Sequence, residues 1–175
     1  KSKCYDEEYF YKLSTVIDNK KSILQNLNIK VFQPHDNIKA DTCRTLWVRD
    51  LYINIDNKIY ILVNTTNVKR SFIEELKTLN LKEEPLYNIY MEGGDIIQHE
   101  NTIYIGIGKR TELKAYKWLK QTFPNKKIIK IVHHALHLDC CFCILPNNTI
   151  IYSKKYIKSF PSILRETHKV KTVEE

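Results

Sequence analysis

Three short segments of this chain carry side chains that could do chemistry: Trp47-Val48-Arg49-Asp50, Met91-Glu92-Gly93-Gly94-Asp95 and His137-Leu138-Asp139. In the second, two glycines allow backbone angles closed to other residues, so that Glu92 and Asp95 can be aimed from one tight turn. In the third, a strand would point His137 and Asp139 to the same face. A histidine beside a carboxylate is a general acid/base whose charged form is stabilised. Asp50 closes the apolar stretch Leu46-Trp47-Val48, where a half-buried carboxylate is costly unless paired. Taken singly, each segment has a plainer reading: a hairpin turn with solvated acids, a structural histidine near a surface aspartate, an Arg49–Asp50 surface pair. Taken together they place four carboxylates and one histidine at corresponding points of successive units. Such a site suits a cation, and a planar guanidinium best of all, because paired carboxylates match its fork of donors.

The elements that must position these residues repeat. A helix is predicted over 5–27 from Phe10, Leu13, Ile17, Leu24 and Leu27, then a strand over 29–32 and a loop over 33–37. Strands are predicted over 46–55 and 58–64, joined at Asp56-Asn57, followed by a helix over 71–80. The next unit has a strand over 86–90, the Glu92–Asp95 turn, Ile96-Ile97, a turn at 99–101, a strand over 102–107, a helix over 111–122 and a strand over 127–132. A last hairpin pairs 137–145 with 149–153 through Pro146-Asn147-Asn148, and 154–164 begins a further helix or loop. The unit is strand, strand, helix, strand over about 40 to 50 residues, a period that suggests a propeller or array. In a radial repeat the chemical segments converge on the centre. No linker divides the chain, so one domain over residues 1–175 is expected.

Composition narrows the partners. An apolar fraction of 43% supports a real core. No apolar run is long enough for a transmembrane helix, and no apolar signal core follows Lys1. Lacking an initiator methionine, the sequence is expected not to start at its natural beginning. The formal charge of +8 invites nucleic acid. The basic residues are scattered among Asn, Ile and Tyr without a long run, so a composition bias explains them and no nucleic-acid partner is expected. Five cysteines, with Cys140, Cys141 and Cys143 crowded together, do not read as a secreted disulfide framework. Reduced thiols and a cytoplasmic location fit better.

The segments WVRD (47–50), EGGD (92–95), IGIGKRT (105–111) and HLD (137–139), in that order, resemble the guanidine-modifying superfamily. Its members are the arginine deiminases, dimethylarginine dimethylaminohydrolases, agmatine deiminases and glycine amidinotransferases. The resemblance covers about residues 41–156. It implies an α/β five-bladed propeller (pentein) with a small guanidino substrate at its centre and no cofactor or metal. It further implies His137 as general acid/base, oriented by Glu92, with Asp50 and Asp139 gripping the guanidinium. Arg110 would bind the substrate carboxylate, with Arg70 as a second such arginine. Gly93, Gly94 and Asp95 would shape the site. The implied mechanism is covalent: a cysteine thiolate attacks the guanidinium carbon, and water or an acceptor amine resolves the intermediate.

The resemblance places that cysteine in a late loop after HLD. The propeller is therefore expected to be short by about one blade. A downstream segment or a second chain would then supply the missing blade, and the fragment alone would bind substrate without turning it over; a homodimer is a separate expectation. On an extended strand Cys141 lies about 13 Å from His137, beyond the reach of a nucleophile–base pair, and Cys140 faces the other side. Two other readings stay open: an inactive guanidinium-binding module, and a zinc site built from His133, His137, Asp139, Cys141 and Cys143.

Overall fold

The computed structural model describes residues 7–31, 48–63 and 83–173. The chain forms two compact units, Lys1–Lys39 and Ala40–Glu175. In the first, helix α1 spans Glu7–Asn26, close to its predicted bounds. Asn28 ends it in the left-handed conformation at φ 58°. The Asn28 N–H then donates to the Gln25 carbonyl at 2.9 Å and the Ile29 N–H to Leu24 at 3.0 Å. This pair of hydrogen bonds satisfies two of the carbonyls that a helix end leaves open. Residues 29–31 are not a strand, and the rest of that expected strand, the loop over 33–37 and the helix over 71–80 lie outside the described residues.

The second unit is built from three small sheets of one design. Strands β1 (Tyr52–Ile55), β2 (Lys58–Val63) and β3 (Glu83–Tyr90) form the first, in the order β1-β2-β3. Strands β4 (Ile96–His99), β5 (Thr102–Ile107) and β6 (Lys127–Val132) form the second, with helix α2 (Leu113–Thr122) between β5 and β6. Strands β7 (Phe142–Ile144), β8 (Thr149–Ser153) and β9 (Lys169–Val173) form the third, with helix α3 (Ser162–Thr167) before β9. In each sheet the first two strands are an antiparallel hairpin and the third runs parallel to the second. A parallel third strand needs a crossover, which explains the helix at that point of the repeat.

The first hairpin turns on Asp56 and Asn57, at φ 52° and 61°. Two consecutive left-handed residues suit the right-handed twist of the strands they join, and Asp and Asn tolerate that region best after glycine. The sheets are apolar on their packed faces. Ile53, Ile55, Tyr60, Leu62, Met91, Ile103 and Ile105 enclose Ala115 and Leu119 of α2 in one buried cluster. Tyr104, Ile131, Leu138, Phe142, Ile150 and Leu164 form a second.

Two predicted strand ends are corrected, while the turn expected over Glu92–Asp95 is found. Residues 48–50 are a short 3-10 turn, so β1 starts only at Tyr52. Residues 138–140 are another, so β7 is three residues and His137 and Asp139 do not share a strand face. A third occupies Gly93–Asp95. In all three cases polar residues that must leave the sheet interrupt an apolar run. Strand β9 was not expected: its residues are mostly exposed and carry three charges or hydroxyls among two valines, a weak apolar pattern.

Candidate active site

Each 3-10 turn precedes a hairpin, and the three turns meet. The first holds Arg49 and Asp50, the second Gly93, Gly94 and Asp95, and the third Asp139 and Cys140. Glu92 and His137 each stand one residue before a turn, in extended backbone at φ −120° and −135°. Each aspartate is used by its neighbour. The Gly94 N–H donates to Asp50 Oδ1 at 3.1 Å, and the Leu138 N–H donates to Asp95 Oδ1 at 2.8 Å. Asp139 Oδ2 pairs with Arg49 Nε at 2.8 Å, linking the third turn to the first. Arg49 therefore pairs with Asp139 and not with its sequence neighbour Asp50.

His137 is the centre of the group. Its Nε2 lies 2.7 Å from Glu92 Oε2 and 3.8 Å from Asp50 Oδ1. The side chains of His137 and Glu92 are 9% and 4% exposed, so the pair is nearly dry. The Glu92 hydrogen bond raises the His137 pKa above its ordinary value, against the opposing effect of burial, and Asp50 adds to the rise. Burial also raises the Asp50 pKa, while His137 and the Gly94 N–H counter it.

Glu92 is held from the other side by the Arg110-Thr111 pair. Arg110 Nη1 sits 3.4 Å from Glu92 Oε1, and the Thr111 hydroxyl accepts the Glu92 N–H at 3.1 Å. The predicted site residues Asp50, Glu92, His137 and Arg110 thus come together. Asp139 lies on the same ring of turns but already holds the Arg49 guanidinium. Arg70 is outside the described residues.

The glycines act by space. No described glycine has a positive φ, so the expectation that Gly93 and Gly94 supply unusual backbone angles does not hold. A Cβ at Gly93 would strike the Arg49 carbonyl oxygen, and one at Gly94 would come within 2.7 Å of His137 Cγ. Gly94 lies close against the His137 side chain and lets the second and third turns approach. Asp95 is not a solvated turn acid either. It is fully buried, and its Oδ1 also meets His133 Nε2 at 2.9 Å.

The buried His133–Asp95 pair was missed by sequence reasoning, which weighed His133 only as a metal ligand. Its signal was the alternation Ile129, Ile131, His133 past the end of β6, three buried positions at a spacing of two.

The cysteines also differ from expectation. Cys141 is not on an extended strand: its Sγ lies 3.9 Å from the His137 carbonyl oxygen. Burial pushes its thiol up to about 12. Cys140 does not face away. Its Sγ lies within 4.8 Å of ligand atoms of His137 and Asp139, but burial and then the Asp139 charge raise its pKa as well. Neither environment favours a thiolate at neutral pH. Nor do the five residues weighed for zinc gather in one place, since His133 is committed to Asp95. Among the described residues the close groups are His137–Asp139–Cys140 and Asp50–Glu92–His137.

The sequence pattern of the arginine deiminase family matches residues 69–174, a span that holds Glu92, Arg110, His137 and Asp139 together. The chain belongs to the arginine deiminase family. The family lies within the guanidine-modifying superfamily, as the motifs indicated. The uncharacterised protein YkgA of Bacillus subtilis (strain 168) is 27% identical over 116 residues, which are 62% of this chain and 41% of that protein. The chain therefore spans less than half the length of that curated relative.

Among solved structures, the inosamine-phosphate amidinotransferase of Streptomyces griseus shares the fold at a TM-score of 0.81 and 12% identity, over 98% of this chain and 62% of that one. A saxitoxin-pathway amidinotransferase of Microseira wollei gives 0.75 at 16% identity, over 97% and 64%. DDAH from Pseudomonas aeruginosa, complexed with citrulline, gives 0.70 at 16% identity, over 92% and 66%.

Proposed function

We propose that this protein modifies the guanidino group of arginine or an arginine derivative by covalent thiol catalysis. The observation that carries the reading is His137, buried between the carboxylates of Glu92 and Asp50 at a point where three successive modules meet. In the proposed site Asp50 and Asp139 receive the guanidinium, and Arg110 with Arg70 receives the substrate carboxylate. We propose further that residues 40–175 contribute their three modules to a five-bladed propeller.

In the proposed reaction a cysteine thiolate attacks the guanidinium carbon and a C–S bond forms. The C–N bond to the departing amine breaks, and that amine takes its proton from His137. Neutral His137 then accepts a proton from water, whose oxygen attacks the same carbon; C–S cleavage releases a ureido product and the thiolate. With an acceptor amine in place of water, the amidino group is transferred instead. Glu92 supports His137 by stabilising the imidazolium, the form that protonates the departing amine and that is restored when His137 takes a proton from the attacking water. The nucleophile is proposed to be none of the five cysteines of this chain, Cys140, Cys141 and Cys143 included.

The first two of these three thiols have raised pKa values, and that favours a second reading, a guanidinium-binding protein without turnover. Assay of the intact protein with arginine, agmatine and methylated arginine, scoring ureido products against amidino transfer to glycine, tests both. Turnover establishes the enzyme and separates hydrolase from transferase. Binding of arginine without turnover supports the second reading, and no binding of any of the three rejects both.

A further inference from the structure

Behind the His137–Glu92 pair lies a second histidine–carboxylate pair that substrate chemistry does not require. His133 and Asp95 have fully inaccessible side chains and meet at 2.9 Å through Nε2 and Oδ1. Asp95 Oδ1 accepts a second bond, from the Leu138 N–H at 2.8 Å. That N–H belongs to the peptide joining His137 to Leu138. A carboxylate fixed there sets the plane of that peptide, and with it the direction in which the His137 side chain leaves the backbone.

His133 is seated as deliberately as the carboxylate it holds. Its own N–H donates to the Ile107 carbonyl at 3.1 Å, extending the β5–β6 pairing by one residue. Its ring lies across the glycines of Ile105-Gly106-Ile107-Gly108. A Cβ at Gly106 would come within 2.7 Å of His133 Nε2, 2.7 Å of Leu138 Cβ and 2.9 Å of Asp95 Oδ1. A Cβ at Gly108 would come within 3.0 Å of His133 Cε1. Both glycines have ordinary negative φ. Their spacing of two is therefore explained by room on one face of β5 for an imidazole.

A buried carboxylate is costly unless its oxygens are bonded. Asp95 Oδ2 and His133 Nδ1 are buried with no hydrogen-bond partner among the described residues. Asp95 is thus held through one oxygen by two donors, and loss of His133 leaves it the Leu138 N–H alone. Its charge also acts on His137, raising the pKa of that ring.

We propose that His133 is a positioning residue for His137, acting through Asp95 and the Leu138 peptide. Its significance for catalysis rests on the proton-transfer role proposed for His137, but its test does not need turnover. The experiment compares the full chain with His133→Phe and His133→Gln. It reads the pH titration of the His137 ring nitrogens by NMR and the exchange rate of the Leu138 amide. Phenylalanine fills the space without a donor. Glutamine places an amide N–H near the former Nε2.

In His133→Phe, Leu138 exchange accelerates roughly tenfold or more while β5 and β6 amides keep their protection. The His137 pKa falls by about half a unit or more, because the Glu92 bond loses its alignment. In His133→Gln both readouts return to wild type. A folded His133→Phe protein with both readouts unchanged overturns the proposal, as does a glutamine variant that behaves like phenylalanine. Should the phenylalanine variant not fold, a folded glutamine variant with faster Leu138 exchange or a lowered His137 pKa overturns it equally. If these results hold but no guanidino compound binds, the functional reading fails and the positioning role stands.

Discussion

One hydrogen bond dominates the electrostatics of His137. Glu92 raises the ring's pKa more than any other neighbour does, and burial works against it. Replacing Glu92 with glutamine keeps the shape and removes the charge. The His137 pKa should then fall toward or below its ordinary value, read as a displaced NMR titration. Stability carries the same signature. Because the folded-state pKa is raised, the folded protein holds the proton more tightly than the unfolded chain. That contribution is full below about pH 6.5 and is lost as pH rises through the folded pKa. Denaturant titrations between pH 6 and 9 should show stability falling with pH in the native protein and a shallower fall in Glu92→Gln.

Cys141 offers a second check at the same scale. With its thiol at about 12 and its side chain buried, it should resist alkylation at pH 7.5 in the folded protein. Peptide mapping after iodoacetamide should find Cys141 unmodified and reactive only after denaturation; rapid labelling in the native state would contradict its placement.

At the level of elements, the 3-10 turns are where the modules touch, and the glycines are what let them. Gly93→Ala would drive a methyl into the Arg49 carbonyl and separate the first and second turns. Overpacking of this kind costs about 1–3 kcal/mol, so the melting temperature should drop measurably. Gly94→Ala would press on the His137 ring. It should displace that ring's NMR signals, with a smaller loss of stability if the imidazole can tilt. A Gly93→Ala protein as stable as the native one would refute the close approach.

Periodicity made the hairpins, the crossover helix α2 and strand β6 legible. The Gly-Gly pair marked the turn at 93–95, but the 3-10 turns at 48–50 and 138–140 were not legible, because three residues are too few to show a period. They were absorbed into neighbouring strands, which put His137 and Asp139 on a common face that does not exist.

Across the whole second unit, the Arg49–Asp139 pair ties the third turn back to the first. Its side chains are 59% and 32% exposed. An exposed pair of this kind contributes about 0.2–1 kcal/mol, so Arg49→Ala should cost little stability. If Asp139 receives the substrate guanidinium, as proposed, Arg49 is its internal competitor, beside an open cleft of about 420 Å³ lined by Arg49, Tyr52, Asn54, Ile96 and Gln98. Arg49→Ala should then bind arginine several-fold more tightly in calorimetry; weaker binding would instead assign Arg49 to holding Asp139 in place for the ligand.

The sequence by itself determined the repeating unit and the residues that meet where its modules touch. Alternating apolar residues mark strands wherever burial is one-sided, and WVRD, EGGD, KRT and HLD name Asp50, Glu92, Arg110 and His137. What only the tertiary structure decided is which carboxylate serves which partner. Glu92 goes to His137, Asp95 turns inward to His133 and the Leu138 peptide, and Asp139 goes to Arg49. Four acids look alike in one dimension. Their roles separate because hydrogen bonds act over about 3 Å, and only the packing of three modules brings residues so far apart in the chain within that range.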